Sequence, residues 1–281
     1  SRARVVIAEI NTNVPWVYQD VPFDEELVTL AIESDDPVAP YEPVRPGAVE
    51  TQIARHIASR IEDGATIQYG IGGIPPAVLK ALEGHRDLGL HSGLVSDEAV
   101  DLIEAGVITN ARKPIHRGKS VGAVAFGGDK FKNFVHANPN FEMHQSTSTH
   151  GAATLSQITN LVSVNSALEV DLYGQVNAEQ IGTKYLGAIG GQVDFMHAAS
   201  THSDGLSIIA MPATLGKSGR GRITDKLAGP LVTTARADVD LVITEFGIAD
   251  LRGKTVNERA RALIDIASPE HRDRLLASWN E

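Results

Sequence analysis

Apolar and polar residues along this chain alternate between two rhythms, one of period two and one near 3.6, and the switch recurs about every 30 residues. Arg4 to Ile10 (RVVIAEI) has the β-branched content of a strand. Glu26 to Ile32 (ELVTLAI) leans the same way, although it also fits a short helix. From Ala48 to Glu62 the apolar residues Val49, Ile53, Ile57 and Ile61 fall at helical spacing, and Gly64 closes the helix. Thr66 to Tyr69 then reads as a strand running into GIGGIPPAV, where a glycine loop feeds a helix with Pro75 or Pro76 in its first turn. Leu88 to His91 is a short strand, SDEAVDLIEAG a helix capped by Ser96 or Asp97 and stopped by Gly106, and SVGAVAFG another strand. SIIAMPAT, LVTTA and DLVITEFG continue the strand series, and amphipathic helices are expected near 255–266 and 269–279. The pattern predicts an α/β fold, an open parallel or mixed sheet with covering helices.

One stretch combines these signals with chemistry. Leu161 to Phe195 begins as strand, with Val162, Val164, Leu168, Val170 and Leu172 as core positions, and ends in a loop carrying Gly187, Gly190 and Gly191. Asn165 and Ser166 interrupt the apolar run with groups that need partners if buried. Glycines allow backbone N–H groups to approach a ligand oxygen because no Cβ intervenes. Spacing alone equally fits a tight turn between two elements.

Between residues 34 and 47 the run SDDPVAPYEPVRPG carries Pro37, Pro40, Pro43 and Pro46. Such proline density makes an extended linker, so residues 1–36 and 48–281 are expected to belong to different units joined by 37–47. RVVIAEI starts almost at the first residue, as the tail of a longer polypeptide would.

Composition narrows the chemistry. A net charge of -10 over 281 residues argues against general affinity for nucleic acid or an anionic membrane surface. The absence of cysteine excludes disulfides, zinc–thiolate sites and a thiol nucleophile. No apolar run approaches a bilayer span and the N-terminus lacks a secretory apolar region, so a cytoplasmic location is expected. TLGKSGRG ends like a P-loop, but Met211 stands where the first glycine belongs; what remains is a basic turn, Lys217, Arg220 and Arg222, which reads first as a solvated loop and could also hold phosphate. His144, His150, His197 and His202 have no repeating ligand spacing and no H-E-x-x-H occurs, so neither a metal nor a permanently bound cofactor is expected. No G-x-S-x-G elbow is present.

Six phrases in order carry a resemblance: GIGGIPPAV, LGLHSGLVSDEAVDLIEAG, VNSALEVDLYGQVNAEQIG, GAIGGQVDF, SIIAMPAT and ARADVDLVITEFGIADLRGKTVNERARALI. Together they resemble the acetyl-CoA hydrolase/transferase family, which includes 4-hydroxybutyrate and butyryl-CoA:acetate CoA-transferases. The resemblance implies a two-lobed enzyme of NagB/RpiA/CoA-transferase fold, with residues 1–36 as the last strands of the first lobe and 48–281 as the second. It implies coenzyme A and acyl-CoA as substrates, a small carboxylate as acceptor, and a homo-oligomer with another chain or fragment supplying the first lobe. It also implies Asn165 and the backbone of Gly190 as oxyanion donors, and Gly187, Gly190, Gly191 and Gln192 as lining of the CoA channel. Lys119, Lys217 and Arg220 are candidates for the CoA phosphates.

In the family a glutamate nucleophile follows a phrase like H-S or H-T, and here that position is Gly93, in His91-Ser92-Gly93. Two readings follow. Gly93 leaves space that admits water, activated by Glu98, Glu142 or His91, and the protein hydrolyses acyl-CoA; or the chain binds CoA without turnover. A sugar-phosphate isomerase on the same fold is a third reading, disfavoured by GAIGGQVDF and VNSALEVDL. Glu245 and Arg252, in ITEFGIADLRGK, are expected to be no more than a buried ion pair.

Overall fold

The computed structural model describes residues 3–22, 24–39, 45–229 and 231–280. Pro40 and Pro43 of the proline-rich stretch, and the side chain of Lys217, lie outside what it describes.

Among the described residues nine strands form one sheet, in the spatial order Gly247–Asp250, Leu241–Thr244, Leu206–Ala210, Leu161–Asn165, Thr66–Tyr69, Gly89–Ser96, Ser120–Phe126, Phe141–Met143 and Tyr18–Gln19. Pairing is parallel throughout except for the hairpin at the Gly247–Asp250 edge. The expected α/β class with an open sheet is thus what the chain adopts. Both faces are covered, as near-continuous apolar strands require. Ile208, Leu241 and Ile243 face a core with Ile53, Ile57 and Val78 of helices Ala48–Ala58 and Ile74–Ala81. Their neighbours Ile209 and Val242 face the opposite core with Met196, Ala260 and Leu263 of helices Gln192–Ser200 and Val256–Asp265. This is the period-two alternation of a strand applied to two packed layers.

Local chemistry sets the helix ends. Thr255 and Glu258 form a reciprocal capping box at Val256–Asp265. Pro75 and Pro76 occupy the first turn of Ile74–Ala81, where a missing N–H costs nothing. The first long helix stops at Ala58, short of the expected Glu62, and Gly64 turns the chain at φ +84°.

Two expectations fail in detail. LVTTA is not a strand: Thr233 and Thr234 are buried by side-chain bonding and one isolated bridge, Thr233 Oγ1 donating to Glu179 Oε1 at 2.9 Å. The strand expected at Leu88 to His91 runs on as Gly89–Ser96. Near the N-terminus, Ile7–Asn11 and Leu30–Ser34 form a separate parallel pair, with Ile7, Ile10, Leu30 and Ile32 all exposed. Tyr18–Gln19 instead joins the edge of the large sheet.

The sheet order reverses at Thr66–Tyr69: the chain builds outward on one side through Phe141–Met143, then returns to add Leu161–Asn165 on the other. Such a switch point leaves a crevice at the carboxyl ends of the strands. The crevice widens because Gly89–Ser96 pairs with Thr66–Tyr69 only at Gly89 and Leu90. Beyond that the Ser92 hydroxyl bridges the gap, donating to Tyr69 O at 3.3 Å and accepting from Tyr69 N at 3.4 Å.

Candidate active site

A cavity of about 1150 Å³ occupies this crevice. Its walls bring together Tyr69 to Ile71 from the first glycine loop, Gly93 from the splayed strand, Asn165 to Leu168 from the strand end, and Leu186 to Gln192 from the second glycine loop. Gly93, Asn165, Gly187, Gly190, Gly191 and Gln192 therefore share one site. The mouth is apolar, with Ile71, Val124, Phe126 and Ile189 exposed around it. Gly190 turns the second loop at φ +62°, and Gly191 leads into helix Gln192–Ser200.

Asn165 is held by a closed amide network. Its Nδ2 donates to Gln68 Oε1 at 3.0 Å and to Ser163 Oγ at 2.9 Å, and its Oδ1 accepts from Gln68 Nε2 at 3.3 Å. Ser163 Oγ donates to the same Gln68 oxygen at 2.6 Å. Both amide hydrogens of Asn165 are spent within the wall, which fixes the loop that follows. Arg222, also lining the cavity, donates to the carbonyls of Ala167 and Leu168. Burial lowers its pKa and Glu245 opposes that shift. Glu245 accepts from Ala213 N at 2.8 Å, while Arg252 pairs with Asp250 at 2.9 Å. The expected Glu245–Arg252 pair is therefore corrected to two separate anchors.

The proposed bases lie elsewhere. His91 is fully buried within its strand and does not line the cavity, its Nε2 3.0 Å from Thr149 O and its Nδ1 without a hydrogen-bond partner among the described residues. Burial, with Lys113 close by, pushes its pKa down to about 3, so it stays neutral. Glu98 does not line the cavity; it sits on helix Asp97–Glu104 with Oε2 buried and unbonded. Glu142 is engaged by Lys119 and by His144 Nε2, the latter at 2.9 Å. Burial raises its pKa, yet those two partners hold it below the usual carboxylate range. Lys119 thus pairs with Glu142 and does not line the cavity. Arg220 pairs with the buried Glu169 at 3.0 Å and also lies outside the cavity.

Histidine spacing concealed two groupings. His116, Glu142 and His144 place one ligand atom each within 4.8 Å of one another, a geometry that suits a metal, although the Lys119 ammonium already neutralises the carboxylate. The second concerns His150, from the polar stretch QSTSTHG, whose ring stands against Gly93. A Cβ built on Gly93 would lie 2.8 Å from His150 Nε2, and one on Gly191 would lie 2.3 Å from the same nitrogen. The space a side chain at Gly93 would take is therefore occupied by an imidazole, while Gly93 itself still lines the cavity. No sequence pattern links residues 93, 150 and 191; only the splayed strand and the helix start bring them together.

Residues 127–279, more than half of the chain, match the family model described as acetyl-CoA hydrolase/transferase C-terminal domain. The chain is 43% identical over 280 residues to the 4-hydroxybutyrate coenzyme A transferase of Clostridium kluyveri, covering 99% of this chain and 65% of that protein. Among solved structures, RipA from Yersinia pestis superposes with a TM-score of 0.91 at 35% identity, covering 99% of this chain and 63% of that one. The 4-hydroxybutyrate CoA-transferase of Porphyromonas gingivalis does so with 0.86 at 37%, covering 98% and 66%. The chain spans less than two thirds of the length of each of these relatives. With the model matched over the half of the chain that carries both the second glycine loop and the Asn165 strand, the chain belongs to the acetyl-CoA hydrolase/transferase family.

Proposed function

We propose that this chain is the acyl-CoA-binding lobe of an enzyme that cleaves short acyl-CoA thioesters by hydrolysis. The observation that carries the reading is the cavity at the switch point, which gathers Gly93, Asn165 and the loop Gly187 to Gln192 around one space. The apolar mouth suits a pantetheine arm, and the glycine loop offers backbone N–H groups, Gly190 among them, to a thioester oxygen. The names of the relatives, CoA transferases acting on 4-hydroxybutyrate, agree in substrate class. Transfer through a carboxylate anhydride needs a carboxylate at the reacting carbon, and residue 93 has no side chain. Asp194 is the carboxylate that lines the cavity among the described residues, and it is exposed in the first turn of its helix.

In hydrolysis the water oxygen bonds to the thioester carbon, the carbon–sulfur bond breaks, and the thiolate takes a proton from the water. Residues 1–36 are the tail of a first lobe, and the exposed apolar pair Ile7–Asn11 and Leu30–Ser34 is the face on which the remainder of that lobe packs. Free-thiol release from a panel of short acyl-CoAs tests the reading, and a chain without cysteine adds no background. Release from at least one thioester is expected; no release from any sinks hydrolysis. Because Gly93 removes the nucleophile, a second reading is CoA binding without turnover, which calorimetry would reveal as binding in the absence of release.

A further inference from the structure

We propose that His150 is a catalytic residue of this site and that its Nε2–H donates the hydrogen bond that stabilises the thioester oxygen as the tetrahedral intermediate forms. The assignment rests on the hydrolytic reading above.

Three observations carry it. The imidazole is fixed: its Nε2 edge lies between Gly93 and Gly191, where a Cβ on either would come within 2.8 Å or 2.3 Å, and the edge of Phe195 packs on it with ring centroids 4.8 Å apart. A donor held in place before reaction needs no reorganisation as charge develops, which is the condition for strong oxyanion stabilisation. The two nitrogens are also unlike. Nδ1 is sealed and has no hydrogen-bond partner among the described residues, whereas the ring lines the cavity and the Nε2 edge faces the glycines of its wall. A neutral imidazole carries one proton, and a stranded buried N–H costs more than a bare lone pair, so the proton belongs on Nε2. General-base action would reverse this, leaving Nδ1–H with nothing to accept it.

The third observation is that three other polar groups of the wall, Asn165, Arg222 and His144, are already engaged. Asn165 spends both amide hydrogens on Gln68 and Ser163, Arg222 is bound to two carbonyls, and His144 Nε2 is bonded to Glu142. Among the described residues His150 Nε2 has no such bond, and its ring lines the cavity. In the step itself, water adds to the carbonyl carbon and the displaced C=O pair collects on the oxygen under Nε2–H. The pair returns as the carbon–sulfur bond breaks, the thiolate leaves with a proton from the water, and His150 ends as it began.

The test compares thiol release by the wild type, His150→Ala and His150→Gln, with folding checked by circular dichroism and CoA binding by calorimetry. Loss of a preorganised donor is expected to lower kcat of His150→Ala by about 10²–10³-fold, with KM nearly unchanged. Glutamine, whose amide N–H can reach the same point but cannot act as a base, is expected to keep the rate within about tenfold of wild type. A His150→Gln variant as slow as His150→Ala overturns the donor role in favour of a base. An alanine variant as fast as wild type overturns any catalytic role. A wild type that binds CoA but releases no thiol overturns the hydrolytic reading and this assignment together, whereas the two preceding outcomes overturn the assignment alone.

Discussion

Substituting Gly93 by alanine is a direct test of how tightly the glycine–imidazole–glycine packing is set. The new Cβ would lie 2.8 Å from His150 Nε2, 3.2 Å from its Cε1 and 3.4 Å from Phe195 Cε2. Ordinary van der Waals contact begins at 3.4 Å, so the imidazole must move. Retreat is limited, because Gly191 packs against the Cδ2–Nε2 edge and Phe195 closes the ring face. Overpacking of this kind costs about 1–3 kcal/mol, against which the stiffer unfolded chain returns about 0.4–1 kcal/mol. Neither Gly93 nor Gly191 has a positive φ, so no backbone strain enters. Gly93→Ala should therefore destabilise by up to about 2 kcal/mol, and Gly191→Ala, whose Cβ meets the ring at 2.3 Å, by more. In a His150→Ala background both substitutions should become neutral or mildly stabilising, a coupling of about 1–3 kcal/mol. Urea unfolding of the wild type, the singles and the doubles measures it. A coupling within about 0.5 kcal/mol of zero would refute the packing argument. The same geometry means that a carboxylate installed at position 93 can form an acyl anhydride only after His150 is trimmed.

Three further outcomes follow from buried polar groups. His91, held neutral with its pKa near 3, binds fewer protons folded than unfolded between that value and about 6.5; stability should fall as pH drops through this window, by up to roughly 5 kcal/mol. His91→Asn should flatten the acid limb of a denaturation-versus-pH curve, and an unchanged limb would count against it. Asn165→Ala removes two donors from the Gln68–Ser163 network and should cost about 1–3 kcal/mol in chemical denaturation while weakening CoA binding by calorimetry; retained stability and affinity would contradict the wall role. Glu169→Ala takes one of two acceptors from Asn177 Nδ2 and the ion-pair partner from Arg220, so a loss of about 1–3 kcal/mol is expected in the same measurement.

The elements were legible where local signals and packing agree. Thr66–Tyr69 coincides with its expected bounds, and Val256–Asp265 and Pro269–Asn280 agree within a residue or so, because apolar period and caps point the same way. LVTTA misled because β-branched residues there are buried by side-chain hydrogen bonds instead of a ladder. The gathering of the glycine loops with Asn165 was readable only through the order of whole phrases. The bases named from sequence failed on depth: His91 and Glu142 lie near the site in the chain's order, but one is fully buried within its own strand and the other is bound by Lys119 and His144. His150 was passed over because its neighbours are serine, threonine and glycine, with no motif to mark it. Gly93, Gly191 and Phe195 around it lie 41 or more positions away, and only the sheet's topology assembles them.

Lys113 is fully buried, its ammonium nitrogen 2.9 Å from Leu90 O and 2.7 Å from Lys119 O, and burial pushes its pKa down to about 7. At neutral pH a large share of this amine is unprotonated, the form that attacks thioesters. The side chain does not line the cavity, so under the proposed function a bound thioester and this amine are kept apart within one fold. Spontaneous acylation of Lys113 then requires the structure that covers it, beside the strands Gly89–Ser96 and Ser120–Phe126, to open. An acyl mass found on this lysine after incubation with acyl-CoA would serve as a covalent record of how often the folded protein breathes.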